Sequence, residues 1–174
     1  NYKVIVVSSA MSGVTNDLLK KSEEISENFC DKEQDVLVSS GEQVACSLIA
    51  GRLIHKGFKS RSWLSWQIPI LANGPYKNAR IGQINKKKII KYLKDGGIPI
   101  ITGFQGINDK GRITTLGRGG SDASAIMLAK FFKAVRCIIY TDVEGVYTTD
   151  PNKLNNAKKI KVISYEEMLE MASL

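Results

Sequence analysis

The sequence predicts an α/β fold with a mainly parallel central sheet, and two observations carry that prediction. Short β-branched runs alternate along the chain with longer helix-forming stretches, and no internal repeat or low-complexity segment interrupts the order. Glycine-, serine- and threonine-rich turns follow three of the predicted strands, where such a sheet places its ligands at the strand carboxyl ends. The chain has 174 residues, 43% of them hydrophobic. A single domain of this size buries roughly 70% of its unfolded surface, which argues against disorder and against a disulfide-dependent miniprotein.

The elements follow in order. Residues 2–7 form a β-branched run suited to a strand buried on both faces, and residues 16–28 read as a helix with Asp17 in its first turn. A second strand is expected at 36–38, then a Ser39-Ser40-Gly41 turn and a helix over 42–55 with apolar Val44, Ala45, Leu48, Ile49 and Leu53. Residues 59–66 resemble a strand, 86–95 a basic helix, and 98–102 a buried strand after Gly96-Gly97. Asn108-Asp109-Lys110-Gly111 is a turn signal for a hairpin between Ile107 and Ile113. A helix over 121–133 and a strand over 135–141 follow, and Ser164-Tyr165-Glu166-Glu167 is a capping box that opens the last helix.

The net charge of +8 is unevenly distributed. Residues 1–42 carry 4 basic and 8 acidic groups, residues 43–141 carry 17 and 3, and residues 142–174 carry 4 and 6. A cationic middle suits polyanions, nucleotides among them. The lysines at 86, 87, 88, 91 and 94 read as one solvated helix face, and no stacking aromatics or nucleic-acid motif accompany them, so no nucleic-acid partner is expected. Cys30, Cys46 and Cys137 are odd in number and widely spaced, which points to reduced thiols buried as small hydrophobes in a cytoplasmic protein. With His55 as the single histidine, histidine triads and multi-histidine metal centres are excluded, and His55 itself falls in a helical last turn before Gly57. Apolar runs are far too short for a membrane span, so no membrane partner is expected either. The chain opens on Asn1 and stops at Leu174 without a helix-stop signal, so both ends are expected to be cut.

Chemistry concentrates in the turns after predicted strands: residues 8–16, Ser39-Ser40-Gly41-Glu42, and residues 114–122. The last combines Gly117, Gly119 and Gly120 with Arg118 and with Ser121 and Asp122 at a helix start, the makings of an anion site. No P-loop, dinucleotide fingerprint or protein-kinase set is present. A reaction that needs no base fits this inventory. A carboxylate is already a nucleophile at neutral pH, with a pKa of about 4, and phosphoryl transfer to it requires positioning and charge neutralisation. Arg118 is suited to hold one carboxylate of an amino-acid acceptor while Glu42 receives its ammonium. Glu42 as a helix-start acid favourable to the dipole accounts for that residue equally well.

Residues 6–16, Ser39-Ser40-Gly41-Glu42, Thr102-Gly103-Phe104-Gln105-Gly106, residues 114–122 and residues 140–151 stand in an order that resembles the aspartokinases of the amino-acid kinase family. Residues 61–70 and 165–172 are similar to its single-function bacterial branch. The resemblance covers nearly the whole chain. It implies an αβα sandwich and ATP-dependent phosphorylation of the aspartate side-chain carboxylate to 4-phospho-aspartate, the entry to lysine, threonine and methionine biosynthesis. By motif position Ser9, Thr15, Glu42, Arg118, Gly119, Gly120 and Ser121 correspond to aspartate-binding groups. Thr141, Asp142 and Tyr147 correspond to the nucleotide-binding turn, and Asp122, with Arg118 the catalytic pair, to the aspartate that orients phosphate-facing lysines. Mg2+ accompanies ATP, no metal-ligating residue of the chain is assigned, and a homo-oligomer is implied.

The departures from the family pattern are specific. Residues 1–174 read as an amino-acid kinase catalytic domain without its opening Lys-Phe-Gly-Gly-Thr-Ser strand, its Gly-Ala-Lys-Val-Leu segment and the regulatory ACT domains. Asn152 stands where the family has an arginine on ATP, with Lys153 beside it, and Ser124 replaces a threonine. Slow turnover or none is therefore expected of these residues alone, since losing one electrostatic group commonly costs about 10²–10³ in rate. Two alternatives stand: a relative that uses another acceptor, such as acetylglutamate, glutamate or a nucleoside monophosphate, and a non-catalytic subunit or fragment.

Overall fold

A computed structural model describes residues 2–117, 119–141, 145–149, 154 and 156–171. Its elements run β1 (Val6–Ser8), α1 (Val14–Ile25), α2 (Asp31–His55), β2 (Ser60–Trp63), β3 (Ile70–Asn73), β4 (Arg80–Ile84), α3 (Lys87–Lys94), β5 (Ile98–Thr102), β6 (Gln105–Ile107), β7 (Ile113–Thr115), α4 (Gly120–Phe132) and α5 (Tyr165–Met171). The apolar run of β5 makes it the centre of a three-stranded parallel sheet, order β1-β5-β2, with Val6 and Ser62 both level with Ile100. Successive residues of a strand point to opposite faces. Ile100 therefore packs with Cys46 and Ala50 of α2, whereas Ile101 joins Ile89 of α3 and Leu128 of α4 in the larger core cluster. Helices cover both faces of the parallel sheet, which is the αβα sandwich that the family resemblance implies.

A second sheet, order β4-β3-β6-β7, lies beyond it. Its β3–β4 and β6–β7 pairings are antiparallel and its β3–β6 pairing parallel. The β6–β7 hairpin matches the Asn108 turn signal, because Asn108 Oδ1 accepts hydrogen bonds from the Lys110 and Arg112 backbone N–H groups at 3.1 and 3.0 Å. β3 and β4 have no counterpart among the expected elements, since both are short and Gly74-Pro75 and Gly82 break their hydrophobic pattern.

Four expectations need correction. The strand at 2–7 shrinks to β1, because Tyr2 and Val4 are exposed and have no partner strand. The strand at 59–66 shortens to β2, ending where Leu64 begins a turn closed by Gln67. The strand at 36–38 and the turn after it do not form. Residues 31–55 are one helix, in which Ser39 and Ser40 return their hydroxyls to the Val36 and Leu37 carbonyls at 2.8 and 2.7 Å. Gly41 belongs to that helix because α1 approaches closely there. A Cβ on Gly41 would lie 3.0 Å from Ala10 Cβ and 3.2 Å from Val14 Cγ1. The strand at 135–141 is not formed either, and Val135 and Tyr140 are exposed.

Two smaller readings also change. Cys30 is exposed, whereas Cys46 is buried. The lysines of the basic helix are not all free in solvent, since Lys86 Nζ donates to the Phe131 carbonyl in the last turn of α4 and Lys88 Nζ to the Gln67 carbonyl. The capping box at α5 forms reciprocally, with Ser164 N–H donating to Glu167 Oε2 and Glu167 N–H to Ser164 Oγ.

Candidate active site

The carboxyl ends of β1 and β5 lie level, Ser8 beside Thr102, and the Gly103 N–H donates to the Ser8 carbonyl at 2.9 Å. Beyond them opens a cavity of about 720 Å³ whose lining includes Ser9, Thr15, Glu42, Gly119, Ser121 and Asp122. These residues come from four separate segments of the sequence, and the fold brings them to one place. Ser9 leaves β1, Thr15 lies in the first turn of α1, Glu42 projects from the middle of α2, and Gly119 to Asp122 open α4. Gly120 is buried at the start of α4, outside the lining. Thr141 and Tyr147 do not line the cavity; Tyr147 pairs instead with Lys159 in a short bridge. Arg118, Asp142, Asn152 and Lys153 lie outside the described residues.

Two helices present their N-termini here. Both are entered through a left-handed glycine, Gly13 at φ 82° and Gly119 at φ 70°, and in neither does a side chain cap the first turn. Uncapped N–H groups at a helix start attract anions. Between them sits a group of opposite character. Glu42 is 2% exposed, its Oε1 accepts the Ala10 N–H at 3.2 Å, and its Oε2 has no partner among the described residues. Burial pushes the Glu42 carboxyl up from 4.5 to about 7, against the lowering effect of its backbone hydrogen bonds. Its place in mid-helix rules out the helix-start explanation for this acid. Burial also raises the Asp122 carboxyl above its ordinary range. The Cys137 thiol is raised too, first by burial and then by the charge of Asp122.

Asp35, Lys77 and Phe104 also line the cavity and were not among the candidate site residues. Asp35 precedes Glu42 by seven residues, two helical turns, and both face the cavity. That spacing is readable only once 31–55 is recognised as one helix. Lys77 and Phe104 hold positive φ of 67° and 63°, a conformation that non-glycine residues rarely adopt and that nothing in their sequence neighbourhood announces.

Comparison with known proteins follows the same lines. The aspartokinase of Rickettsia conorii is 51% identical over 176 residues, covering 99% of this chain and 44% of that relative. The aspartate kinase structure from Synechocystis is 38% identical with a TM-score of 0.73, covering 98% of this chain and 28% of that one. The structure of E. coli aspartokinase III in complex with aspartate and ADP is 27% identical with a TM-score of 0.76, covering 90% and 46%. The chain thus spans less than half the length of each of these relatives. The family model described as "Amino acid kinase family" matches residues 1–174, and with the αβα sandwich and strand-end cavity found here, the chain belongs to that family.

Proposed function

We propose that the chain is the catalytic portion of an aspartate kinase, which transfers the γ-phosphoryl group of ATP to the side-chain carboxylate of L-aspartate and yields 4-phospho-L-aspartate and ADP. In the cell this is the first step toward lysine, threonine and methionine. The observation that carries the reading is the half-paired, buried carboxylate of Glu42 set between two uncapped helix N-termini. One anionic group flanked by two anion-attracting ends is complementary to a small acceptor with one ammonium and two carboxylates. The 51% identity to the R. conorii aspartokinase supports the same acceptor.

Each residue then has a task. Glu42 takes the ammonium, Arg118 forks onto a carboxylate, and Ser9, Thr15, Gly119, Gly120 and Ser121 supply hydroxyl and backbone donors that orient the acceptor. The acceptor carboxylate attacks the γ-phosphorus, an O–P bond forms, the bond to the β–γ bridging oxygen breaks, and the electron pair leaves on ADP. No proton moves, so no general base is required. Asp122, at the start of α4, orients the cationic groups that face the transferring phosphate, and Thr141, Asp142 and Tyr147 hold the nucleotide. Mg2+ accompanying ATP would supply neutralisation of phosphate charge, and no ligand for it is assigned among this chain's residues. We place the reaction in the cytoplasm and in a homo-oligomer. Among the described residues no helix is long and apolar enough to cross a membrane.

Coupled ADP release with Mg·ATP, screened over aspartate, glutamate, acetylglutamate and nucleoside monophosphates, tests the reading. Release that depends on aspartate above all the others is expected. A faster rate with any other acceptor overturns the assignment.

A further inference from the structure

We propose that Asp35 is a positioning residue that sets the distance between the ammonium-binding carboxylate of Glu42 and the glycine-rich turn after β7. This rests on the aspartate-kinase reading. Asp35 is fully buried, yet no ion pair is found for it among the described residues. Its carboxylate is satisfied by three donors from two other segments. Thr115, the last residue of β7, gives its N–H to Oδ2 at 2.9 Å and its hydroxyl to Oδ1 at 2.7 Å. The Lys77 N–H is shared between the two oxygens at 3.1 Å each. A buried carboxylate solvated only by fixed donors has one well-determined place, because moving any donor leaves charge unpaired in a dry site.

The three segments so joined are the ones that shape the acceptor side of the cavity. α2 carries Glu42 two turns beyond Asp35 on the same face. β7 runs from Thr115 directly into Gly117, Arg118 and Gly119. The segment around Lys77 supports that turn from beneath: the Ala79 N–H donates to the Thr115 carbonyl at 2.9 Å, and a Cβ on Gly117 would lie 3.0 Å from Asn78 Oδ1 and 3.1 Å from the Lys77 carbonyl. Lys77 itself is held at φ 67°, an unfavourable value, and its N–H points at Asp35 from that conformation. Glu42 and the turn bearing Arg118 bind opposite ends of the proposed acceptor, and among the described residues no hydrogen bond links them directly. Their separation is therefore transmitted through Asp35. Asp35, Lys77 and Thr115 line the cavity together with Glu42 and Gly119, on its acceptor side, so the effect is expected at the acceptor.

Steady-state kinetics on three variants, with amide hydrogen exchange alongside, test the proposal. Asp35→Asn puts an amide N–H2 against donors, and we expect the KM for aspartate to rise about ten- to a hundredfold while the KM for ATP stays within about twofold. Thr115→Val removes one donor and keeps the shape, and is expected to raise the aspartate KM about three- to tenfold, with Thr115→Ser restoring it. If Asp35→Asn does not fold, the Thr115 pair decides. An unchanged aspartate KM in folded Asp35→Asn, a parallel rise of both KM values, or equal impairment in Thr115→Val and Thr115→Ser overturns the proposal. Should the unaltered protein turn over another acceptor in preference to aspartate, or turn over none, the kinetic arm does not bear on Asp35, and the first of these results separately overturns the acceptor reading. Exchange at the amides of residues 116–120 in ligand-free Thr115→Val then decides the positioning claim, which predicts about tenfold acceleration and is overturned by none.

Discussion

Glu42 carries its charge at a cost that the fold does not offset internally. Holding a carboxyl at about 7 instead of 4.5 corresponds to about 3 kcal/mol. The sign follows from proton counting: between these two values the native state binds more protons than the unfolded chain, so this group's contribution to stability falls as pH rises from 4.5 to 7 and is level above. Glu42→Gln keeps an acceptor for the Ala10 N–H but leaves an amide N–H2 unpaired. Thermal unfolding is expected to show the variant about 1–2 kcal/mol more stable at pH 8 and no more stable at pH 4. The same substitution removes the charge proposed to meet the acceptor ammonium and is expected to lower kcat/KM for aspartate by about 10² or more. Site residues of this kind were legible in the sequence as types in motifs: Ser9, Thr15, Glu42, Gly119, Ser121 and Asp122 do meet around one cavity. Asp35 was not legible, because its role depends on Thr115 and Lys77, 80 and 42 residues away in the chain.

Among the elements, α2 is the one most at odds with its local sequence. Val36, Leu37 and Val38 beside Ser39-Ser40-Gly41 look like a strand and a turn, yet the packing of α1 and β7 and the Asp35 hub hold the segment helical. Tertiary contacts override a propensity that is worth only tenths of a kcal/mol per residue. Gly41 separates the two influences. In an isolated helix Gly→Ala gains about 1 kcal/mol, but here the new methyl meets Ala10 and Val14 at 3.0–3.2 Å. Gly41→Ala is expected to destabilise by about 1–3 kcal/mol in denaturant titrations, since overpacking outweighs propensity; a stabilised variant would show that α1 does not sit against α2 as described. β5, α4 and the α5 capping box, by contrast, were readable because their signals are local: an apolar run bounded by Gly97 and Gly103, a glycine entry, a Ser-to-Glu spacing of three. β3 and β4 were not, because their pairing with each other and with β6 decides them.

At the scale of the whole molecule, one strand joins the two cores, and the candidate site lies at its end. Ile101 of β5 is fully buried in the cluster that unites α3, α4 and both sheets. Ile101→Ala is expected to cost about 2–5 kcal/mol in chemical denaturation, with aspartate and ATP KM values rising together, unlike the selective effect of Asp35→Asn. The class of fold was legible from the alternation of strands and helices, whereas the division into a parallel and a mixed sheet depends on long-range pairing that no local pattern encodes. The central claim is that a buried carboxylate on α2 selects an amino-acid acceptor by its ammonium. The most direct test is the pH dependence of kcat/KM for aspartate between pH 5.5 and 8.5, measured by aspartate-dependent ADP release for the protein and for Glu42→Gln. The account predicts a limb that rises about tenfold per pH unit and levels near pH 7, abolished together with most of the rate in Glu42→Gln. A limb and a rate that persist unchanged in Glu42→Gln would contradict it.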